Sequence, residues 1–261
     1  MDLARAALAA IAPPLCAACR RPCRVEAVVC DRCARRLDRN PPLTGKGAPG
    51  LDRAWSSASH EGVARQLVAA LKFRCLLPVA ALMATRIEVL APSHLLSGTI
   101  VPVPASPGRL RARGFDPTGE LAAALAARLG APALPCLARR GGRRQVGRRR
   151  GERLGSPPLV RAAGEVPRSV LLVDDVLTTG ATLSACAQAL RAAGAARVVA
   201  VTFARRLSGW PWETFGESRG APLVASTARE ASGRPRYGTT PQIFLRNLPA
   251  PMGAKRFRGR S

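Results

Sequence analysis

The stretch VLLVDDVLTTGATL, residues 170–183, joins a strand pattern to an unusual set of polar side chains. Its first four residues are branched and apolar, which is typical of a strand buried on both faces of a sheet. Two adjacent acids, Asp174 and Asp175, follow directly, and then comes a run of small and hydroxyl-bearing residues. Ligands of open parallel sheets bind beyond the carboxyl ends of the strands. The stretch therefore predicts a binding site at the end of a core strand.

The sequence on both sides predicts an α/β fold. The segments GTIVPVP, SVLLVDD and RVVAVTFAR have strand character, whereas ARQLVAALKF, GELAAALAARLG and LSACAQALRAAGA have helical character. Gly130 ends the second of these helices as a C-terminal cap. Strands that alternate with helix-length connections predict a parallel sheet flanked by helices.

Composition leaves the partner open. The 261 residues carry a formal net charge of +25, which suggests a polyanion such as nucleic acid. Lysine occurs only at positions 46, 72 and 255, however, and the richness in Ala, Arg, Gly and Pro is what a GC-rich coding sequence gives by itself. No apolar run approaches the roughly 20 residues that cross a bilayer. We therefore predict no membrane insertion and a cytoplasmic location.

Three parts follow one another along the chain. Residues 1–45 hold five of the eight cysteines and end in the Pro/Gly-rich linker pattern NPPLTGKGAPG. They begin with MDLARAALAAIAPPL, which predicts a short amphipathic helix better than a signal peptide. Residues 50–206 form the α/β part. Residues 207–261 are rich in Gly, Pro and Arg, and are predicted to be a largely disordered basic tail.

The cysteines predict a structural zinc site. Two Cys-x-x-Cys knuckles separated by ten residues supply four thiolates for a tetrahedral ion, and they are Cys16, Cys19, Cys30 and Cys33. The alternative is a pair of disulfides in a secreted domain, which suits a basic α/β chain less well. Cys23 is a fifth candidate ligand. The three dispersed cysteines are predicted to be buried apolar residues, and they are Cys75, Cys136 and Cys186.

The loop behind the acids predicts a phosphate site. It offers backbone N–H groups, hydroxyls and the positive end of the next helix through Thr178, Thr179, Gly180, Ala181 and Thr182. Carboxylates beside such a loop accept hydrogen bonds from sugar hydroxyls, so the two features together describe a ribose 5-phosphate. The alternative is that the acids only cap the helix, for which one acid would be enough.

This stretch resembles the signature by which type I phosphoribosyltransferases bind 5-phosphoribosyl-1-pyrophosphate (PRPP). Three further segments resemble the ComF family of competence-associated proteins, namely LVAALKFRCLLPVAALMA, IVPVPASPGRLRARGFD and RRQVGRRRGERLG. The resemblance covers roughly residues 8–206. It implies a type I phosphoribosyltransferase-like parallel sheet with a small, zinc-ribbon-like N-terminal domain.

The resemblance also implies roles for particular residues. Asp174 and Asp175 would contact the ribose hydroxyls together with Mg²⁺, and residues 178–182 would hold the 5-phosphate. The pyrophosphate would lie on a loop that commonly has a strained or cis peptide, formed here by Val103, Pro104, Ala105, Arg109, Arg111 and Arg113. A flexible basic loop would contain Gln145, Arg148 and Arg153.

The sequence departs from the family pattern at three points. Asp116-Pro117 replaces a polar Asn-Gln pair, and an Asn that commonly follows Arg153 is missing. Thr178 stands where purine-salvage relatives have an acid that accepts a proton from the base. These departures leave the acceptor and turnover open.

The arginine run, residues 139–153, has eight arginines and one acid, Glu152. Three interpretations of this run stay open: a solvated mobile loop, a lid over pyrophosphate, or a strip that contacts DNA phosphates. The two histidines, His60 and His94, are given no role.

The sequence thus predicts a PRPP-binding, phosphoribosyltransferase-like protein that transfers or binds a phosphoribosyl group with Mg²⁺ and is linked to DNA uptake in natural transformation. The alternative is a catalytically silent competence factor that senses PRPP or binds DNA or a partner. Whether the protein is an enzyme stays open. Besides PRPP, the resemblance implies as partners single-stranded DNA, an ATP-driven DNA translocase and recombination proteins.

Overall fold

A mostly parallel sheet forms the centre of the fold. The computed structural model describes residues 14–46, 48–139 and 159–206. Five strands make the sheet: β1 (Leu43–Lys46), β2 (Arg53–Ser56), β3 (Thr99–Pro102), β6 (Ser169–Leu177) and β7 (Arg197–Arg205). Their order is β1-β2-β7-β6-β3, and only β1 runs antiparallel to its neighbour. Two further strands, β4 (Leu137–Arg139) and β5 (Val160–Ala162), pair with each other. The predicted α/β class with a parallel sheet is confirmed.

Six α-helices accompany the strands in the described ranges. They are α1 (Asp31–Asp38), α2 (Gly62–Arg74), α3 (Pro78–Leu90), α4 (Pro107–Arg113), α5 (Pro117–Leu129) and α6 (Ala181–Ala192). A short 3₁₀ helix covers Ser93–Leu95. Proline occupies the first turn of α3, α4 and α5, where a missing N–H leaves no hydrogen bond unmade. Gly130 ends α5 with a φ of 60°, so the predicted cap is confirmed.

The sheet is buried on both faces, which divides the core into two layers. Leu171 and Val173 of β6 point into a buried cluster shared with α2, α3 and α5. Val170 and Leu172 point the other way, into a cluster shared with α6. This alternation explains why β6 reads as a continuous apolar run.

The cysteine-rich segment packs on the first of these layers. Cys16, Cys33 and Leu37 belong to the same buried cluster as residues of α2 and α3. The buried Arg86 of α3 adds polar contacts, because its guanidinium donates to the backbone oxygen of Asn40 at 2.7 Å and lies 3.5 Å from an Asp38 carboxylate oxygen. The segment that holds the four cysteines is therefore fixed to the body of the protein.

The structure differs from the sequence prediction in the length of β6. The strand was expected to end at the acids, but it continues to Leu177. The reason is its partner β7, which pairs with it as far as Arg205, opposite Leu177. On the other side β3 stops at Pro102, opposite Val173. The acids therefore lie in a part of β6 that has a strand on one flank only.

Some sequence predictions concern other parts of the chain. The predicted linker contains the edge strand β1, which pairs with β2. The predicted N-terminal helix covers mainly residues 1–13, which lie outside the described residues. The same is true of most of the arginine run and of the tail from residue 207. None of the helices that the structure describes is long and apolar enough to cross a membrane.

We predict that Phe203→Ala lowers the free energy of unfolding by about 3 to 5 kcal/mol, because the ring is fully buried and its removal leaves a cavity. Phe73→Ala is the matched control: its ring is 72% exposed, so the loss should stay within about 1 kcal/mol. Urea denaturation of both variants measures the difference. Equal losses would contradict the described core.

Candidate functional site

The site lies where the parallel strands end and the chain turns from β6 into α6. Thr178 and Thr179 form an exposed loop, and Gly180 follows with a φ of 68°, a left-handed conformation that glycine adopts without strain. The helix begins at Ala181, and no side chain caps its first turn. Backbone N–H groups at this end are therefore available to an anion.

The two acids face opposite sides of the sheet. Asp175 continues the side of Leu171 and Val173, and it is 3% exposed. Asp174 continues the side that packs against α6 and is partly exposed. The backbone N–H of Asp175 donates to Oδ1 of Asp174 at 2.8 Å. Only Asp174 therefore shares a face of the sheet with the helix that follows the loop.

A lysine that sequence reasoning missed pairs with the second acid. Lys72, in the last turn of α2, places Nζ 2.6 Å from Oδ1 of Asp175. The side chains of Lys72 and Asp175 are 22% and 4% exposed. Oδ2 of Asp175 is buried and has no hydrogen-bond partner within the described part of the chain. Lys72 could have been suspected because it is one of only three lysines among 41 basic residues.

Several carboxyl groups influence one another at this edge. Although part of the residue is exposed, the surrounding protein removes most water from the Asp174 carboxyl group, and this raises its pKa. The charge of Asp175 raises the pKa of Asp174 further, whereas the charge of Lys72 lowers it. Burial also raises the pKa of Asp116, and the negative charge of Asp175 raises it further. The negative charge of these carboxyl groups thus favours the binding of a cation or a hydrogen-bond donor at this edge of the sheet.

Asp116 has a structural task that accounts for one departure from the family pattern. It is the N-cap of α5, and its Oδ1 accepts a hydrogen bond of 3.1 Å from the N–H of Thr118. Pro117 follows in the first turn. The pair Asp116-Pro117 therefore starts a helix, in agreement with the residue preferences of these positions.

The predicted pyrophosphate loop leads from β3 into α4. The N–H of Val103 donates to the oxygen of Val173 at 2.9 Å. Neither a cis peptide nor a positive φ occurs at Val103, Pro104 or Ala105, so the strained or cis peptide implied by the family is not found there. Beyond this loop, on α4, Arg109 and Arg111 are exposed.

Arg113, the third predicted arginine of α4, lies beside α2. Its Cζ is 5.3 Å from the centre of the Phe73 ring, which is a cation–π distance. Phe73 directly follows Lys72, so α4 and the end of α2 meet close to the acids.

The predicted flexible-loop residues Gln145, Arg148 and Arg153 lie outside the described residues. The strands on either side are described: Arg139 of β4 pairs with Val160 of β5. Both strands pack with α6 through buried residues that include Leu137 and Cys186. The two strands that flank the predicted loop in the sequence therefore lie on the face of the sheet that carries Asp174.

His60, which the sequence left without a role, lies near this edge. Its backbone N–H donates to the oxygen of Arg205 at 2.7 Å. Burial lowers the pKa of His60, and the positive charge of Lys72 lowers it further. His60 therefore belongs to the surroundings of Lys72.

Four cysteines form a group that could bind a metal ion. The sulfur atoms of Cys16, Cys19, Cys30 and Cys33 all lie within 4.8 Å of one another, and those of Cys19 and Cys30 are 3.7 Å apart. A tetrahedron with metal–sulfur distances of about 2.3 Å has sulfur–sulfur edges of about 3.8 Å, so the group fits such an ion. The N–H groups of Cys19 and Cys30 donate to the sulfur of Cys16 at 3.5 and 3.3 Å.

The other cysteines lie apart from this group. The thiol of Cys23 donates to the backbone oxygens of Pro14 and Ala27, each at 3.4 Å. Cys136 and Cys186 are buried, as predicted. The prediction for Cys75 is wrong: it is exposed, because it ends α2 in a left-handed conformation with a φ of 52°.

Arg74 links the cysteine-rich segment to the acids. Its guanidinium donates to the backbone oxygen of Ala17, which lies between the first two cysteines of the group. Lys72, two residues earlier, contacts Asp175. The last turn of α2 thus contacts both the acid pair, through Lys72, and the cysteine-rich segment, through Arg74.

Comparison with known proteins gives the class of the domain. Residues 121–230 match the phosphoribosyl transferase domain family. Over 107 residues the chain is 35% identical to competence protein ComFC of Streptococcus pneumoniae (strain ATCC BAA-255 / R6), a match that covers 40% of this chain and 47% of the relative. The chain thus spans about half the length of the curated relative that it matches.

Similar solved structures include an allosteric regulatory enzyme of purine biosynthesis, at 21% identity over 47% of this chain and 24% of that one, with a TM-score of 0.33. Orotate phosphoribosyltransferase from Aeropyrum pernix is 24% identical over 56% of this chain and 66% of that one, with a TM-score of 0.34. UMP synthase of Leishmania donovani is 15% identical over 67% of this chain and 31% of that one, with a TM-score of 0.31.

Residues 121–230 are thus similar to a phosphoribosyl transferase domain, and the four-cysteine group lies on the N-terminal side of this stretch. The resemblance to the ComF family predicted from the sequence is confirmed by this domain and by the similarity to ComFC.

We predict that Lys72→Met lowers the free energy of unfolding by roughly 3 kcal/mol, because it leaves the buried Asp175 carboxylate without its counter-ion. Adding Asp175→Asn should restore part of this loss, since the uncompensated charge is then gone. Urea denaturation of both single variants and the double variant measures the coupling. Strictly additive losses would contradict the ion pair.

Proposed function

We propose that the protein binds PRPP at the edge formed by the acid pair and the start of α6, as a phosphoribosyltransferase-like protein of the ComF type. One observation carries the proposal. The acids Asp174 and Asp175 and the uncapped start of α6, preceded by an exposed Thr-Thr-Gly loop, lie at the same edge of the sheet. A phosphate at the helix and sugar hydroxyls at the acids match the two ends of a ribose 5-phosphate.

Residues of two further segments support the proposed ligand. Arg109 and Arg111 are exposed on α4, next to the loop at Val103, Pro104 and Ala105, where the pyrophosphate of PRPP would bind. By its resemblance to the family's flexible loop, the segment with Gln145, Arg148 and Arg153 would contribute positive charge to the same group. Positive charge there would stabilise a departing pyrophosphate.

Mg²⁺ fits the same edge, because carboxylate oxygens are the ligands that it prefers, and it commonly binds one or two of them together with substrate phosphates. Asp174 is the partly exposed carboxylate that would hold it. When bound, the ion would neutralise charge on the pyrophosphate.

We propose that the four-cysteine group holds structural zinc. Its four sulfurs fit a tetrahedral ion, and four thiolates leave no open position for catalysis. The N–H of Arg21 lowers the pKa of Cys19 to about 7, whereas burial raises the pKa of Cys33. A bound metal ion would hold both residues as thiolates. Zinc would then stabilise the segment that Arg74 contacts.

A second candidate function is PRPP binding without turnover, and Thr178 favours it. The residue is exposed in the phosphate loop and has no group that could accept a proton from a nucleobase. The name of the similar competence protein supports a role in DNA uptake for either candidate. Single-stranded DNA, a DNA translocase, recombination proteins and a cytoplasmic location are part of this proposal.

We expect the full chain to bind PRPP in the presence of Mg²⁺, measured by titration calorimetry. The double variant Asp174→Asn/Asp175→Asn should bind at least about tenfold more weakly, because hydrogen bonds to charged groups are lost. Glu165→Gln removes an exposed acid outside the site and serves as the control.

Pyrophosphate release with a panel of nucleobases then separates the two candidate functions. Release with any base supports a transferase, and binding without release supports the silent protein. Failure of the unaltered chain to bind PRPP would contradict both.

We expect one zinc ion per chain by metal analysis of the purified protein. Cys30→Ser should lose the ion and lower the melting temperature, because it removes one of four ligands. Cys23→Ser is the matched control and should keep the ion, since its thiol contacts backbone oxygens instead. Equal zinc loss in both variants would contradict the assignment of the four ligands.

A further inference from the structure

We propose that metal binding at the four-cysteine group strengthens ligand binding at the acid edge, where Asp174 and Asp175 lie beside the start of α6, and that Arg74 carries this coupling. The inference rests on the proposed function, because it concerns the regulation of the same site. Arg74 is thereby a positioning residue. It acts through the carbonyl group of Ala17 on one side and through the helical turn that carries Lys72 on the other.

Ala17 connects the two cysteine pairs to each other and to α2. Its N–H donates to the oxygen of Val28, two residues before Cys30, at 2.9 Å. Its own oxygen, in the turn of the first cysteine pair, accepts a hydrogen bond from the guanidinium of Arg74. Ala17 is buried, so bulk water does not compete for these bonds. The position of this carbonyl group therefore depends on how the two cysteine pairs are held together.

A metal ion would hold the two pairs together. The four sulfur atoms lie within 4.8 Å of one another, an arrangement that four bonds to one ion explain. Thiols without an ion offer one another only weak hydrogen bonds. Removal of the ion would therefore release the two pairs from each other, and the oxygen of Ala17 would no longer be fixed in front of Arg74.

The last turn of α2 is held from two sides. Lys72 and Arg74 are two residues apart, so their side chains leave the helix about 200° apart around its axis. Nζ of Lys72 lies 2.6 Å from Oδ1 of Asp175, while Arg74 reaches Ala17. The helix ends directly after Arg74, at Cys75. Because the final turn of a helix frays readily, the contact of Arg74 limits the movement of Lys72.

Movement of Lys72 would change the acid edge. The side chain of Asp175 is 4% exposed, and Lys72 is its counter-ion. The N–H of Asp175 in turn donates to Oδ1 of Asp174 at 2.8 Å. A buried carboxylate without its counter-ion is unfavourable, and uncompensated negative charge at this edge repels an anionic ligand such as PRPP. Loss of the metal should therefore weaken the binding of PRPP.

The test uses the reciprocity of coupled binding. If the metal strengthens PRPP binding, PRPP must strengthen metal binding by the same factor. The zinc dissociation constant of the full chain is measured by competition with a chromophoric chelator, without PRPP and with saturating PRPP and Mg²⁺. We expect PRPP to lower this constant at least about fivefold. Titration calorimetry of the zinc-loaded and the zinc-depleted chain should give the same factor for the affinity of PRPP.

Arg74→Met removes the donor and should abolish the coupling, whereas Arg74→Lys keeps a donor and should retain most of it. Arg65→Met changes an exposed basic residue of the same helix and is the matched control, with the full factor expected. Direct binding of zinc by PRPP is the same for all four proteins and cancels in the comparison. Folding of the whole chain around both ligands would couple them without Arg74. An undiminished factor in a folded Arg74→Met protein would therefore overturn the inference.

The two levels of the proposal fail in different ways. If the unaltered chain does not bind PRPP, the proposed function is wrong and the inference with it. If the chain binds PRPP and zinc but neither changes the affinity for the other, the proposed function stands and only the coupling is wrong. A chain that binds PRPP and holds no zinc also leaves the proposed function standing and overturns the coupling.

Discussion

The ion pair between Lys72 and Asp175 joins the last turn of α2 to the central strand β6. Removing both charges from water is unfavourable, so such a pair persists only where the surrounding packing already brings the two groups together. That packing is visible in the residues next to it. Leu71, which precedes Lys72, is fully buried, and so is Val173, two residues before Asp175 on the same side of the strand. The apolar packing brings the two charged groups together, and their ion pair then holds Asp175 at the edge of the sheet.

The same helical turn relates the cysteine group to the acid edge. Arg74 donates to the oxygen of Ala17, and Cys16 and Cys33 belong to the buried cluster that includes residues of α2. The cysteine-rich segment therefore contacts the same helical turn that carries Lys72. In this fold the N-terminal segment is part of the support of the acid edge.

Local signals made the framework predictable. The apolar run before Asp174 predicted a central strand, the helix-length segments predicted α2, α5 and α6, and the two Cys-x-x-Cys pairs predicted the four-cysteine group. Each of these signals lies within a few neighbouring residues. Gly130 is a further example, because its cap depends only on the end of its own helix.

Features that depend on distant partners were not predictable. The extension of β6 to Leu177 depends on the length of β7, and β1 exists because it pairs with β2. Lys72 lies 103 positions from Asp175, and nothing close to either residue in the sequence announces their contact. Cys75 looked like a small apolar core residue, but it terminates a helix on the exposed side.

The backbone of the loop after β3 limits how it can bind an anion. Pro102 and Pro104 have no N–H group, and the N–H of Val103 is already bonded to Val173. Ala105, which lies beyond the strand, is thus the first residue after β3 whose N–H the sheet does not use. In the proposed function this loop offers the pyrophosphate few backbone donors, and the exposed arginines of α4 supply most of its positive charge. The proposed 5-phosphate, in contrast, would meet several N–H groups at the start of α6, so the two anionic groups of one ligand would be bound by different chemistry.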